Sequence, residues 1–143
     1  MDCSLIICTY NWKKALELVI LSSISQSYLP VEIIIADDGS SDDTRKLIKS
    51  LCNKSPIPII HSWQKDKGFR AAKSRNKAIA KANGDYIILV DGDMILHKDF
   101  VLDHYFFARR GYFVQGIRAK LNSQKSLEVF EKKQYIFNSF EKG

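Results

Sequence analysis

The chain has 143 residues, 45% hydrophobic and 27% charged, which gives one domain a sizeable core and excludes a disordered tail. Its longest unbroken apolar run, residues 86–90, falls far short of the roughly 20 residues of a membrane-spanning helix. Lys and Arg number 22 against 16 Asp and Glu, and the net charge of +6 favours an anionic partner such as a nucleotide, a phospholipid surface or nucleic acid.

In chain order, residues 3–8, 32–36, 57–62 and 86–90 are short apolar runs rich in β-formers and read as buried strands. Helical patterns alternate with them. Residues 13–25 carry Leu16, Val19, Ile20 and Ser23 on one face, residues 42–53 carry Leu47, Ile48 and Leu51, and residues 70–82 carry Ala71, Ala78, Ile79 and Ala82. Strict β-α-β-α-β-α-β alternation with doubly buried strands predicts an α/β fold, a mostly parallel Rossmann-like sheet flanked by helices. A helix over residues 99–109, a strand near residues 112–116 and an amphipathic helix over residues 126–140 follow. The last places Leu127, Phe130, Phe137 and Phe140 on roughly one side, for packing on the domain or lying on a membrane surface. No repeat, low-complexity stretch or Pro/Gly/Ser-rich linker marks a boundary, so residues 1–143 are expected to form one unit.

Cys3, Cys8 and Cys52 make an odd count without CxxC spacing, which points to reduced, mostly buried thiols. Met1 is followed by Asp2 and an apolar run, without the basic stretch and cleavage site of a secretory signal. The expected location is cytoplasmic, with a peripheral place at the inner face of a membrane as its variant. The basic residues are spread from Lys13 to Lys142, and the RNP, zinc-finger and basic-zipper signatures are absent, so no nucleic acid is expected as partner.

Ligands of open parallel sheets bind beyond the carboxyl ends of the strands. The residues there are Thr9-Tyr10-Asn11-Trp12, Asp37-Asp38-Gly39-Ser40, Trp63 to Arg70, and Asp91-Gly92-Asp93. Aromatic, hydroxyl, acidic and basic groups thus converge on one edge, which suits a nucleotide. Neither GxGxxG after the first strand nor GxxxxGK[ST] is present to cradle phosphates with backbone. Asp91-Gly92-Asp93 offers a substitute: two carboxylates flanking a residue without a side chain can hold Mg2+ or Mn2+, which completes its octahedron with phosphate and water. The bland alternative is a solvated turn. In the second motif Ser40 or Ser41 can cap the next helix, and Asp42 and Asp43 complement its dipole. Asp38 precedes the cap and can accept from a base N–H or a ribose hydroxyl, while Asp37 is left to turn chemistry.

Four motifs, Leu5-Ile6-Ile7-Cys8-Thr9-Tyr10-Asn11, Ile35-Ala36-Asp37-Asp38-Gly39-Ser40-Ser41-Asp42, Gly68-Phe69-Arg70-Ala71-Ala72-Lys73-Ser74-Arg75-Asn76 and Gly84-Asp85-Tyr86-Ile87-Ile88-Leu89-Val90-Asp91-Gly92-Asp93, resemble those of the family 2 glycosyltransferases with the GT-A fold, in order and spacing. The resemblance covers about residues 3–120. It implies that Thr9, Tyr10 and Asn11 line a nucleotide pocket, that Asp38 contacts the base, and that Arg70 faces the base or the diphosphate. It further implies that Asp91 reaches the ribose or a metal and Asp93 the metal, with Gly92 between them. Arg75 either serves the site or braces it by pairing with a carboxylate. His97 and His104 receive no role.

The implied activity is metal-dependent, inverting transfer of a sugar from a nucleotide diphosphate donor, UDP-linked, to a cell-surface glycan or lipid-linked acceptor. Inverting members use a carboxylate further along as general base. After Asp93 the chain has only Asp99, Asp103, Glu128, Glu131 and Glu141, none in an equivalent motif, so the acceptor side is expected to be truncated. One alternative is a haloacid-dehalogenase-like phosphatase, whose strand-end Asp-x-Asp supplies nucleophile and acid. That motif opens its chain and is followed by Thr or Val, whereas Met94-Ile95 follow here. A non-catalytic nucleotide-binding fragment is the other.

Overall fold

A computed structural model describes residues 1–137 of the chain. The expected alternation is present: β1 (Cys3–Thr9), α1 (Lys13–Ile24), β2 (Glu32–Asp37), α2 (Asp42–Cys52), β3 (Ile59–Trp63), α3 (Ala71–Ile79) and β4 (Tyr86–Asp91). The four strands are parallel, in the order β3-β2-β1-β4. β1 and β2 are central, and the apolar runs there exist because both faces are covered: Leu5, Ile6, Ile7, Ile33, Ile34 and Ile35 are all fully buried. One face packs on α1 and α2 through Leu16, Val19, Ile20, Leu47 and Ile48, the other on α3 through Ala78. β3 and β4 are edge strands and only partly buried, which corrects the expectation of four doubly buried strands. Leu89 of β4 is half-exposed.

After β4 come α4 (Phe100–Phe107) and α5 (Ser123–Lys132). The expected strand at residues 112–116 is not formed. Its β-forming side chains lack a paired neighbour, and Tyr112 and Phe113 are exposed. The expected helix over residues 126–140 is displaced toward the N-terminus. Asn122 caps it, its Oδ1 accepting from the Lys125 N–H, and Lys133 ends it in the left-handed conformation. Val129 is buried and Phe130 packs 6.3 Å from the Trp12 ring, whereas Leu127 points to solvent. Phe140 lies outside the described residues. Among the described residues no helix is long and apolar enough to cross a membrane. Cys3, Cys8 and Cys52 are free thiols, only Cys3 being buried.

Candidate functional site

Because all four strands run the same way, the strand ends form one rim, and register sets their order along it. Trp63 pairs with Asp37, Asp37 with Thr9, and Cys8 with Asp91. The connections from β1 lead toward β2 and β3 on one side, while β4 lies on the other. The crevice between the ends of β1 and β4 is therefore the topological switch point of the sheet. A hollow of about 190 Å3 lies there, walled by Cys8, Thr9, Tyr10 and Trp12 on one side and by Asp91, Gly92 and Asp93 on the other.

The wall from β1 is held from below. Thr9 is buried, and its carbonyl accepts from the Asp38 N–H at 3.1 Å. Asn11 has φ +47, a conformation that costs a non-glycine residue energy, and both its polar ends are tied to the loop after β2. Its N–H donates to Ser40 Oγ and its Oδ1 accepts from the Ser41 N–H, each at 2.9 Å. Ser41 occupies the N-cap position of α2 without a side-chain cap bond, and Ser40 faces Asn11 instead, so neither serine caps through its hydroxyl. Asp42 and Asp43 fill the first turn of α2, as the dipole argument requires. Tyr10 is half-exposed, and its hydroxyl donates to Asp66 Oδ2 at 2.9 Å, a bond to an anion that raises its pKa.

The wall from β4 is open. Gly92 is required for close approach: a Cβ there would sit 2.6 Å from the Cys8 carbonyl oxygen and 3.3 Å from the Thr9 side chain. Asp91 and Asp93 are exposed on either side of it. Arg75 reaches over from α3, its Nε donating to Cys8 Sγ at 3.3 Å and its NH2 lying 3.8 Å from Asp91 Oδ1. Arg75 thus pairs with a carboxylate of the crevice. Asp93 makes no hydrogen bond or ion pair among the described residues. Among the described residues no group of three or more His, Cys, Asp and Glu is gathered in a metal cage. Two open carboxylates beside a hollow fit Mg2+ or Mn2+, which take one or two carboxylates and fill the rest of their sphere with phosphate and water, and do not fit a closed zinc centre.

Asp38 and Arg70 lie deeper than their sequence positions suggest. Asp38 is 5% exposed; its Oδ1 accepts from Gln64 Nε2 and its Oδ2 from the Arg70 N–H, each at 2.6 Å. Each oxygen keeps one lone pair for a further donor. The Arg70 guanidinium curls back to donate to the Lys65 carbonyl, leaving its Nε buried without a partner. Gln64 Oε1, Ser62 Oγ and Ser74 Oγ are likewise buried and unpartnered. Asp37 is fully buried and bonds the turn as expected, its Oδ1 accepting from the Gly39 and Ser40 N–H groups at 3.1 and 2.8 Å. Burial pushes its pKa up, but bonds from His61 and Ser40 outweigh that and leave it low.

Sequence reasoning passed over His61, Gln64 and Asp66. His61 Nε2–H donates to the ionised Asp37 Oδ2 at 2.8 Å. Asp66 carries Tyr10, and its backbone lies where a Gly39 Cβ would stand, at 2.6 Å, with Gly39 at φ +107. The only signal in the sequence is spacing: His61 lies two residues before Trp63, on the same face of β3, diagonal to Asp37 once the register is known. His104, left without a role, is buried in contact with the Tyr86 hydroxyl at 3.0 Å, and its burial lowers its pKa. Of the later acids, Asp99 pairs with Lys98 and Glu128 with Lys125, and none of Asp99, Asp103, Glu128 and Glu131 walls the crevice.

Comparison with known proteins matches residues 4–141 to the profile of Glycosyl transferase family 2. The Escherichia coli protein WfaP, a UDP-Glc:alpha-D-GlcNAc-diphosphoundecaprenol beta-1,3-glucosyltransferase, is 39% identical over 90 residues, 63% of this chain and 34% of WfaP. The hyaluronan synthase of Pasteurella multocida is 36% identical over 92 residues, 64% of this chain and 9% of that protein. The chain thus spans about a third or less of the length of these relatives. Among solved structures, S. aureus TarS in complex with UDP-GlcNAc superposes with a TM-score of 0.63 at 28% identity, covering 75% of this chain and 31% of that one. Its fold is the GT-A architecture that the four motifs imply. The phosphatase alternative for Asp91-Gly92-Asp93 is overturned by the family match, since the motif is the fourth of an ordered set and not the opening of a chain. The chain belongs to glycosyl transferase family 2.

Proposed function

We propose that residues 1–143 form the donor-binding part of an inverting glycosyltransferase that takes a UDP-sugar and a divalent ion in the crevice between β1 and β4. The observation that carries this reading is the crevice itself. A switch-point hollow has one wall of fixed polar backbone and aromatic side chains and another of two open carboxylates. The names of the relatives point the same way: WfaP uses UDP-Glc, and TarS has been crystallised with UDP and UDP-GlcNAc.

In this reading Thr9, Tyr10, Asn11 and Asp38 receive the nucleoside, Arg70 faces the base or the diphosphate, and Asp91 and Asp93, with Gly92 between them, hold Mn2+ or Mg2+. When bound, the ion neutralises the charge that builds on the departing diphosphate. The acceptor hydroxyl oxygen forms its bond to the sugar C1 while the C1–diphosphate bond breaks on the opposite face, and its proton passes to a general base. The acceptor is a cell-surface glycan or a lipid-linked sugar, as the diphosphoundecaprenol in the name of WfaP suggests. Such an acceptor would bring a cytoplasmic enzyme to the inner face of a membrane.

Calorimetric titration of the chain with UDP-, GDP- and ADP-sugars, with Mn2+ and with EDTA, tests the reading. UDP-sugars should bind most tightly, and EDTA should weaken them. A chain that binds no nucleotide sugar refutes the donor site, and equal binding in EDTA refutes the metal.

A further inference from the structure

β3 contributes no side chain to the crevice, yet two of its residues hold the loop that shapes it. His61 and Trp63 alternate onto the same face of the strand. His61 Nε2 lies 2.8 Å from Asp37 Oδ2, and the other oxygen of that fully buried carboxylate takes the Gly39 and Ser40 N–H groups. Two residues on, Trp63 Nε1–H donates to the Ser40 carbonyl at 3.1 Å, and the Arg45 guanidinium covers the ring at 5.5 Å. Ser40 is therefore gripped at its N–H and at its carbonyl, both by way of β3. Its remaining polar atom, Oγ, receives the N–H of Asn11, whose left-handed backbone links Tyr10 and Trp12, two residues of the crevice wall.

The weak point of this chain of bonds is Asp37. A carboxylate with no exposed surface must have donors on both oxygens or turn outward. His61 is the donor to Oδ2. Without it the carboxylate has reason to leave its place, the Gly39 and Ser40 amides lose their acceptor, and Asn11 loses the support that holds a disfavoured conformation.

We propose that His61 is a positioning residue for nucleotide binding, which acts through Asp37 to fix the loop of residues 39–41 and, through Ser40 and Asn11, the wall of the crevice at Tyr10 and Trp12. The proposal rests on the donor-site reading above. It adds that affinity depends on a side chain that does not touch the nucleotide.

The test uses the 143-residue chain and its His61→Leu and His61→Gln variants. Leu keeps the bulk and removes the donor, whereas the Gln amide can reach the position of Nε2. Amide hydrogen exchange at Gly39 and Ser40 and UDP affinity in Mn2+ are measured on each. His61→Leu should speed exchange at both amides and weaken UDP by about tenfold, the scale of one charge-assisted hydrogen bond, and His61→Gln should restore most of both. Should the Leu variant not fold, His61→Asn, whose amide reaches only the position of Nδ1, takes its place.

Unchanged exchange in the Leu variant overturns the proposal, because His61 then does not hold the loop. Faster exchange with wild-type UDP affinity also overturns it, because loop and crevice are then uncoupled. A Gln variant as impaired as Leu assigns His61 to packing and has the same consequence. Failure of the wild-type chain to bind UDP is a separate result, read before any variant, and it refutes the donor-site reading on which the proposal stands.

Discussion

The two ends of the parallel sheet both carry buried acids, and they treat them in opposite ways. At the amino end Glu32 is 4% exposed and every bond it accepts comes from fixed protein groups. Ser4 Oγ and the Asn83 N–H reach Oε1 at 2.7 Å, and Asn83 Nδ2 reaches Oε2 at 3.0 Å. The Ser4 hydroxyl in turn accepts from the Gly84 N–H, so a closed ring ties β1, β2 and the turn that leads into β4 together. At the carboxyl end satisfaction falls off across the rim. Asp37 takes three bonds, Asp38 takes two, one on each oxygen, Asp91 has one long contact with Arg75, and Asp93 has no partner among the described residues. A buried carboxylate held by three donors is framework, and one left open beside a hollow is available to a ligand. Mutation should therefore trade stability for binding along this series.

The largest effect on stability belongs to Glu32. Glu32→Ala strands a buried hydroxyl and two N–H donors, and should cost about 2–4 kcal/mol in urea unfolding. UDP affinity of the folded fraction should stay within about twofold, for no atom of the crevice moves. Loss of affinity at unchanged stability would break the contrast between the two ends. The pH dependence sharpens it. Burial raises the pKa of Glu32, but its bonds from Asn83 and Ser4 outweigh that and hold it low, as His61 and Ser40 do for Asp37. A lowered folded pKa means the unfolded chain binds more protons. The stability these groups supply is full above the unfolded carboxylate value of about 4 and is lost as pH falls through the folded values. The gap between wild type and Glu32→Gln should therefore close as pH drops below about 4, and a gap of constant size from pH 7 to pH 2 would remove Glu32 from the acid transition.

Asp38 stands between the extremes. Its removal frees the Gln64 amide and the Arg70 N–H, so Asp38→Ala should lose about 1–3 kcal/mol of stability and also weaken UDP by about 1.5–3 kcal/mol. The sequence alone assigns Asp38 to accepting from a base N–H or a ribose hydroxyl. The buried bonds to Gln64 and Arg70 show why both quantities should move. Normal UDP binding by a destabilised variant would place Asp38 wholly in the framework.

The elements that could be read from the sequence are those whose signal is local. Apolar runs such as Ile33-Ile34-Ile35 and helix faces such as Leu47, Ile48 and Leu51 declare themselves, and parallel alternation then puts four motifs on one rim. Strand order is not local, so nothing in residues 86–90 tells that β4 is an edge with Leu89 half-exposed. Residues 112–116 have strand-forming side chains, but a strand needs a neighbour's hydrogen bonds as well. The bounds of α5 depart from the aromatic stripe because they are set by one capping Asn122 and one left-handed Lys133. In the site, the open carboxylates were legible from their place after a strand. His61 was not, because its partner lies 24 residues away and meets it only through the β2–β3 register.

The smallest effect on stability is expected at Asp93, and there the contrast is most exposed to failure. Its carboxylate is exposed and unpaired among the described residues, so Asp93→Asn deletes no native bond. It also relieves repulsion from Asp91 two positions away, and the unfolding free energy without metal should stay within about 0.5 kcal/mol of wild type. In Mn2+ the two proteins should part. Mn2+ with UDP should raise the melting temperature of the wild type, since a ligand that binds only the folded state stabilises it by mass action, and should raise that of the variant much less. The asparagine keeps an oxygen but not the charge, so UDP affinity in Mn2+ should fall about tenfold or more, and adding EDTA should take little further from the variant. Equal melting shifts would show that the open end of the sheet is open for another reason. A large loss of stability without metal would show that Asp93, like Glu32 at the opposite end, belongs to the frame.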